Sequence, residues 1–206
     1  MSTMITDISQ LDLTRQYTFA DYLTWQFTER VELVRGWIMR MAAPAPLHQR
    51  IATNLTRSLA NHFWQSPCEV YPAPLDVRLP LPKSERKANT DESVLTVVQP
   101  DLCVICDTDK IDAKGCLGAP DLVVEILSPG NTKKEMQRKK ELYEESGVRE
   151  YWVIDPLYKG IQVFVLNESF AKYDLVHDVE EGDDLISVIF PTFTVAVSDV
   201  FYRYSK

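Results

Sequence analysis

The sequence is poor in the features that mark several large protein classes. No stretch of its 206 residues approaches the roughly 20 consecutive apolar positions that a membrane-spanning helix needs, so no span is expected. The opening MSTMITDISQ has neither the basic start nor the apolar run of a secretory signal, and the expected location is the cytoplasm. Four cysteines, Cys68, Cys103, Cys106 and Cys116, are too few for a disulfide framework in a chain this long, and Cys103 and Cys106 read as buried thiols. Cys103 and Cys106 have CxxC spacing, but residues three apart on a strand face opposite ways, so they cannot close on one zinc ion there. No G-x-x-x-x-G-K-[ST] loop implies ATP, and the lack of H-E-x-x-H argues against a zinc protease. No repeat, low-complexity tract or linker divides the chain, so one domain over residues 1–206 is expected, with a core from about 17 to 166 and a loose lead-in over 1–16.

A composition of 45% hydrophobic and 25% charged residues is ordinary for a globular chain. The formal net charge of −8 opposes non-specific attraction to nucleic acid, which favours a basic surface. Two basic islands run against that balance, Lys133–Lys140 and Lys83–Lys87; the second reads as solvated surface. Thr18 is placed to cap a short helix, and VELVRGWIMRMA reads as strand, turn at Arg35-Gly36, strand. PLHQRIATNLTRSLANHFWQ repeats Ile51, Leu55, Leu59 and Phe63 every fourth position, which predicts a helix. CEVYPAP and LDVRLPL are short extended runs. VVQPDLCVIC and GAPDLVVEIL have the near-continuous apolar texture of strands buried on both faces, with CDTDKIDAKGCL between them as a polar loop. Thr132 with Glu135 forms a capping box, and Gly147 ends the helix it opens. EYWVIDP is a strand, and GIQVFVL, FAKYDLV and DDLISVIFPTFTVAV are further extended runs. The expected fold is α/β: a mixed central sheet flanked by helices, with a β-rich C-terminal tail.

The chemistry gathers where carboxylates interrupt apolar strands. In GAPDLVVEIL, Glu125 shares a strand face with Asp121 and Val123, and an acid there is costly unless it is paired or metal-bound. Asp101 heads DLCVIC in the same predicament. If these runs are neighbours, the two acids converge on an oxygen-rich site suited to Mg²⁺ or Mn²⁺. On the next helix Met136, Leu142 and Tyr143 define the packing face; Lys139 lies within about 20° of its centre and Lys140 about 80° away. Lys139 either forms a structural salt bridge or reaches a reacting anion. Asp121 reads as closing the strand's start, Asp76 and Asp155 as structural, and Tyr151-Trp152 as core.

The blocks VVQPDLCV, GAPDLVVEILSP and KKELYEESGVREYWVIDP, in this order, resemble the PD-(D/E)XK restriction-endonuclease-like superfamily, and more closely its Uma-type branch. VELVRGWIMRM, His48 and LDVRL extend the likeness from about Tyr17 to Leu166. The resemblance implies that Asp101 and Glu125 ligate metal together with the Ile126 carbonyl. The superfamily lysine belongs two places after the acid, where Leu127 stands; in the Uma-type branch a helical lysine replaces it, and Lys139 matches. Glu32 resembles a further acid that holds a water or a second metal, with simple exposure the competing reading. His48 is a candidate for phosphate contact or proton transfer, against a role as cap or surface residue.

The expected function is a Mg²⁺- or Mn²⁺-dependent nuclease hydrolysing phosphodiester bonds, with DNA as partner, no membrane, and a homodimer plausible on symmetry grounds. The competing readings are a catalytically silent interaction module on the same fold and a hydrolase of RNA or a nucleotide.

Overall fold

Local signals in the sequence set most element boundaries in the computed structural model, which describes residues 4–80, 90–128, 130 and 132–203. Thr18 caps α1 (Phe19–Tyr22): its hydroxyl accepts from the Asp21 N–H, and Asp21 accepts from the Thr18 N–H. β1 (Val31–Val34) and β2 (Trp37–Arg40) form a hairpin through Arg35 and Gly36, at φ 53° and 82°, a doubly left-handed turn that favours glycine. A Cβ on Gly36 would also stand 2.8 Å from that of Gln16. α2 (Pro46–His62) opens on a proline whose missing N–H costs nothing there. β3 (Glu69–Pro72) and β4 (Val77–Arg78) follow. The apolar run around residue 100 is two strands, not one, with Pro100 between β5 (Val97–Val98) and β6 (Leu102–Ile105).

The stretch expected as a polar loop contains an antiparallel hairpin, β7 (Ile111–Asp112) with β8 (Gly115–Leu117). Gly115 lies at φ 109°, where a Cβ would collide with the Asp76 carbonyl. β9 (Leu122–Ile126) leads to α3 (Lys133–Ser146), whose capping box and left-handed Gly147 stand where the sequence predicts them. β10 (Glu150–Asp155), β11 (Gly160–Asn167), β12 (Lys172–Val179), β13 (Asp184–Ile186) and β14 (Thr194–Ala196) make the β-rich end, closed by α4 (Val197–Val200). The basic island Lys83–Lys87 lies outside the described residues.

The chain clusters into two compact units. One comprises the stretch up to Ala43 with Asp76–Gln99 and Ile111–Ala119. Its sheet has the order β2-β1-β5-β4-β8-β7, over a core that includes Tyr17, Phe19, Leu33, Val94 and Val97. Ile5 bridges to Trp25 and Ile8 is buried within the stretch expected as a lead-in. Arg78 is buried here and donates to Asp112 at 2.6 Å, which holds the Asp112 carboxyl below its ordinary pKa.

The other unit comprises Pro44–Leu75, Pro100–Lys110 and the chain from Pro120 onward. Its sheet runs β12-β11-β10-β9-β6-β3 and is mixed: β9 and β10 are parallel, the other pairs antiparallel. Alternation divides its faces. Leu122, Val124, Ile126, Trp152 and Ile154 pack with Ile51, Leu55 and Leu59 of α2 and Val197 and Val200 of α4. On the opposite face Tyr151 meets Tyr143 of α3, ring centroids 5.2 Å apart. Helices thus cover both faces of a mixed sheet, the α/β architecture expected.

Two acids not singled out in the sequence hold this unit together. Glu150 is fully buried and accepts from the Trp152 indole at 2.6 Å, the Ser187 hydroxyl at 3.0 Å and the N–H groups of Val188 and Ile189. Glu144 accepts from Lys172 and from the Tyr173 N–H, tying α3 to β12. Of the two cysteines expected as buried thiols, Cys103 is one and Cys106 is not. Cys103 and Cys116 are free and buried, whereas Cys106 is disulfide-bonded to Cys68. Cys106 points to the α2 face beside Cys68 and Val70, opposite in parity to Cys103, so the two members of the CxxC part ways as strand geometry requires.

Candidate metal and active site

β6 and β9 are antiparallel neighbours with Leu102 opposite Val124. One step further along that register sets Asp101 opposite Glu125, so strand pairing alone juxtaposes the two acids. Glu125 is nearly enclosed, its side chain 11% exposed. Its Oε1 accepts from the Lys139 ammonium at 2.8 Å and from the Tyr143 hydroxyl at 2.6 Å. Lys139 and Tyr143 are four residues apart on α3, on one helical face, so that face carries a cation and a hydroxyl to the same carboxylate oxygen. Lys139 keeps 27% of its side chain in solvent. Leu127, in the place of the superfamily lysine, continues the strand with its N–H bonded to the Ile154 carbonyl.

Asp101 is held from two sides. Its Oδ2 accepts from the Ile126 N–H at 2.7 Å and lies 3.1 Å from His48 Nε2; its own carbonyl accepts from the Ala73 N–H. His48 is therefore neither a helix cap nor a surface residue: it is buried, and the N-cap of α2 is Ala45, with no side-chain bond. The bond to Asp101 raises the His48 imidazole above its ordinary pKa against the opposing effect of burial, and the charges of Asp101 and Glu125 and the Ile126 carbonyl add to the rise. Tyr151 reports the same field. Burial, then the charge of Glu125, push its hydroxyl upward, Lys139 works against them, and Asp101 adds a smaller push.

Asp101, Glu125, Lys139, His48 and the Ile126 backbone thus gather in one unit. Glu32 belongs to the other unit. There it is buried, contrary to the reading that exposes it, and its Oε1 accepts from the Gln99 N–H at 2.8 Å. Asp76 accepts from the Tyr22 hydroxyl and the Gln99 amide. Asp121 closes the start of β9 by accepting from the Cys106 N–H and Arg149, and Asp155 caps a turn. Tyr143 is the site residue that sequence reasoning passed over, although its i, i+4 spacing from Lys139 carried the signal.

The donors suit a hard divalent cation. Two carboxylates and a strand carbonyl are all oxygen, and Mg²⁺ is commonly held by one or two carboxylates, with water and substrate phosphate completing the shell. Among the described residues no cluster of three or more His, Cys, Asp or Glu side chains forms a metal cage, and those residues offer two facing acids with a strand carbonyl. Both Asp101 contacts fall on Oδ2, and Oδ1 takes no hydrogen bond from the described residues.

Comparison with known proteins identifies the family and the fold. Residues 19–198 match the family described as "Uma2: Putative restriction endonuclease". "Uncharacterized protein slr1290" of Synechocystis sp. is 25% identical over 168 residues, which are 81% of this chain and 76% of that protein. The crystal structure of a putative nuclease belonging to DUF820 from Anabaena variabilis superposes with a TM-score of 0.68 at 18% identity, covering 90% of this chain and 97% of that one, a likeness of fold. The matched residues span both strands that bear the acids and the helix that bears the lysine, and the chain belongs to the Uma2 family of restriction-endonuclease-like proteins.

Proposed function

We propose that the Asp101–Glu125–Lys139 cluster is the centre of a Mg²⁺- or Mn²⁺-dependent nuclease that hydrolyses phosphodiester bonds of DNA. The observation that carries the reading is the placement of two acids opposite each other on adjacent strands, with a helical lysine 2.8 Å from one of them. Asp101, Glu125 and the Ile126 carbonyl would hold the cation. When bound, it would neutralise charge on the scissile phosphate and ease deprotonation of a water.

The remaining work falls to the chain itself. Lys139, partly in solvent and anchored on Glu125, would direct its ammonium at a phosphate oxygen and stabilise charge that grows during attack. Tyr143 fixes the Glu125 carboxylate while Lys139 moves between acid and substrate. His48 steadies Asp101 and, from the same place, can contact the phosphate. Cutting both strands of a duplex calls for two such centres, which a homodimer would supply. One observation favours a catalytically silent module instead: Glu125 already has two donors, as a structural ion pair would.

A cleavage panel separates these readings. Supercoiled plasmid, linear duplex, single-stranded DNA and RNA are incubated with Mg²⁺, Mn²⁺ or EDTA. Metal-dependent cutting of DNA is expected, reduced about 100-fold or more in Glu125→Ala and Lys139→Ala. Cutting that survives both substitutions would rule out this centre, and cutting of RNA alone would move the substrate.

A further inference from the structure

Beside Asp101 a groove of about 370 Å³ runs along α2. It deepens the nuclease reading and rests on it. Asp101 and His48 form its head, and Gln49, Thr53, Thr56 and Arg57 line its length, with the end of β3 as the opposite wall. These α2 positions follow helical spacing and so form one stripe. From His48 to Arg57 the stripe covers about 13 Å of helix axis at 1.5 Å per residue, close to four base-pair rises of about 3.4 Å along one strand.

The lining chemistry is selective. In a chain of net charge −8, this groove contains one acid, Asp101, which already meets His48. Its other polar groups are an amide, two hydroxyls and the Arg57 guanidinium. Gln49, Thr53 and Arg57 are exposed. Thr53 and Thr56 give their hydroxyl hydrogens to the carbonyls of Gln49 and Ala52, and both hydroxyls can turn toward a ligand. His48 Nδ1 is buried with no partner among the described residues, an unmet donor or acceptor at the head of the groove. Neutral hydrogen-bonding groups ending in an arginine suit a phosphodiester backbone: phosphate contacts come from such side chains and fix register without reading sequence, and arginine matches phosphate geometry.

We infer that this groove is the track for the nucleic-acid strand flanking the scissile bond, with Arg57 gripping a phosphate at the far end and Gln49, Thr53 and Thr56 contacting the backbone between. The surface is narrow and mostly neutral, so it works on an acidic protein without a broad basic patch.

The test measures binding without turnover. Glu125→Gln protein in Ca²⁺ is titrated against fluorescein-labelled single-stranded DNA, duplex DNA and RNA by anisotropy, over a series of salt concentrations. Arg57→Gln in that background should weaken binding severalfold and Arg57→Glu about tenfold, with the log–log salt slope falling by about one for the lost phosphate contact. Lys159→Gln removes the same charge from an exposed lysine outside the groove and should leave affinity and slope unchanged. Circular dichroism confirms folding; Arg57 is exposed, so its substitution leaves the core intact. Binding by the Glu125→Gln parent that both Arg57 variants preserve overturns the groove and leaves the nuclease reading standing. If neither this parent nor wild type in Ca²⁺ binds any of the three probes, both readings are overturned. The probe bound most tightly identifies the strand type the groove takes.

Discussion

Glu125 shows how one buried acid organises its neighbours. A carboxylate in an apolar strand needs donors, and Lys139 and Tyr143 supply them from one face of α3. The two donors differ in kind. Lys139 is partly solvated and long enough to reach elsewhere, whereas Tyr143 is fully buried and fixed. Replacing Tyr143 with phenylalanine removes only the hydroxyl, and the loss of a hydrogen bond to a charged group should cost about 1.5–3 kcal/mol in urea unfolding at neutral pH. An unchanged midpoint would mean that the carboxylate does not depend on that bond. The burial anomaly at Glu125 is legible from sequence because period-2 alternation exposes an acid among valines. The pairing of His48 with Asp101 is not, because 53 residues separate them and nothing local to either encodes the contact.

Elements were legible where their ends carry chemistry. The capping box at Thr132 and Glu135, the left-handed Gly147 and the Arg35-Gly36 turn are short-range devices, and each stands where the sequence places it. β7 and β8 were missed because strands of two and three residues are too short to show alternation. Pro100 divides an apolar run that otherwise has one texture throughout, so β5 and β6 read as a single strand. The tie between α3 and β12 has a pH signature. Burial works to raise the Glu144 carboxyl, but the Lys172 bond and the Tyr173 N–H outweigh it and hold it below the ordinary value of 4.5. A depressed folded pKa gives stability that is present above the unfolded value and lost as pH falls through the folded one. Glu144→Gln should therefore unfold about 1–2 kcal/mol more easily than wild type above about pH 5, with the gap closing as pH falls. A gap that stays constant with pH would show that the charge on Glu144 is not what binds the helix.

For the whole molecule, the fold class and the acid-bearing strands could be read from order and texture, while the cysteine pairing could not. Cys68 and Cys106 are 38 residues apart and meet only because β3 and β6 are neighbours. The net charge of −8 sets a condition on any nucleic-acid reading: cations must act locally, and in the proposed reading Lys139 and Arg57 are the two that meet phosphates. The hydrolytic role of Lys139 depends on the acid pair holding a cation. The most direct test is therefore calorimetric titration of Mn²⁺ into wild type and into Glu125→Gln, with folding of both checked by circular dichroism. Saturable binding by wild type is predicted, weakened in the variant by more than the roughly 10- to 100-fold that loss of an outer-shell partner costs. No binding by wild type, or equal binding by both, would contradict the account and leave Asp101, Glu125 and Lys139 as a structural ion cluster.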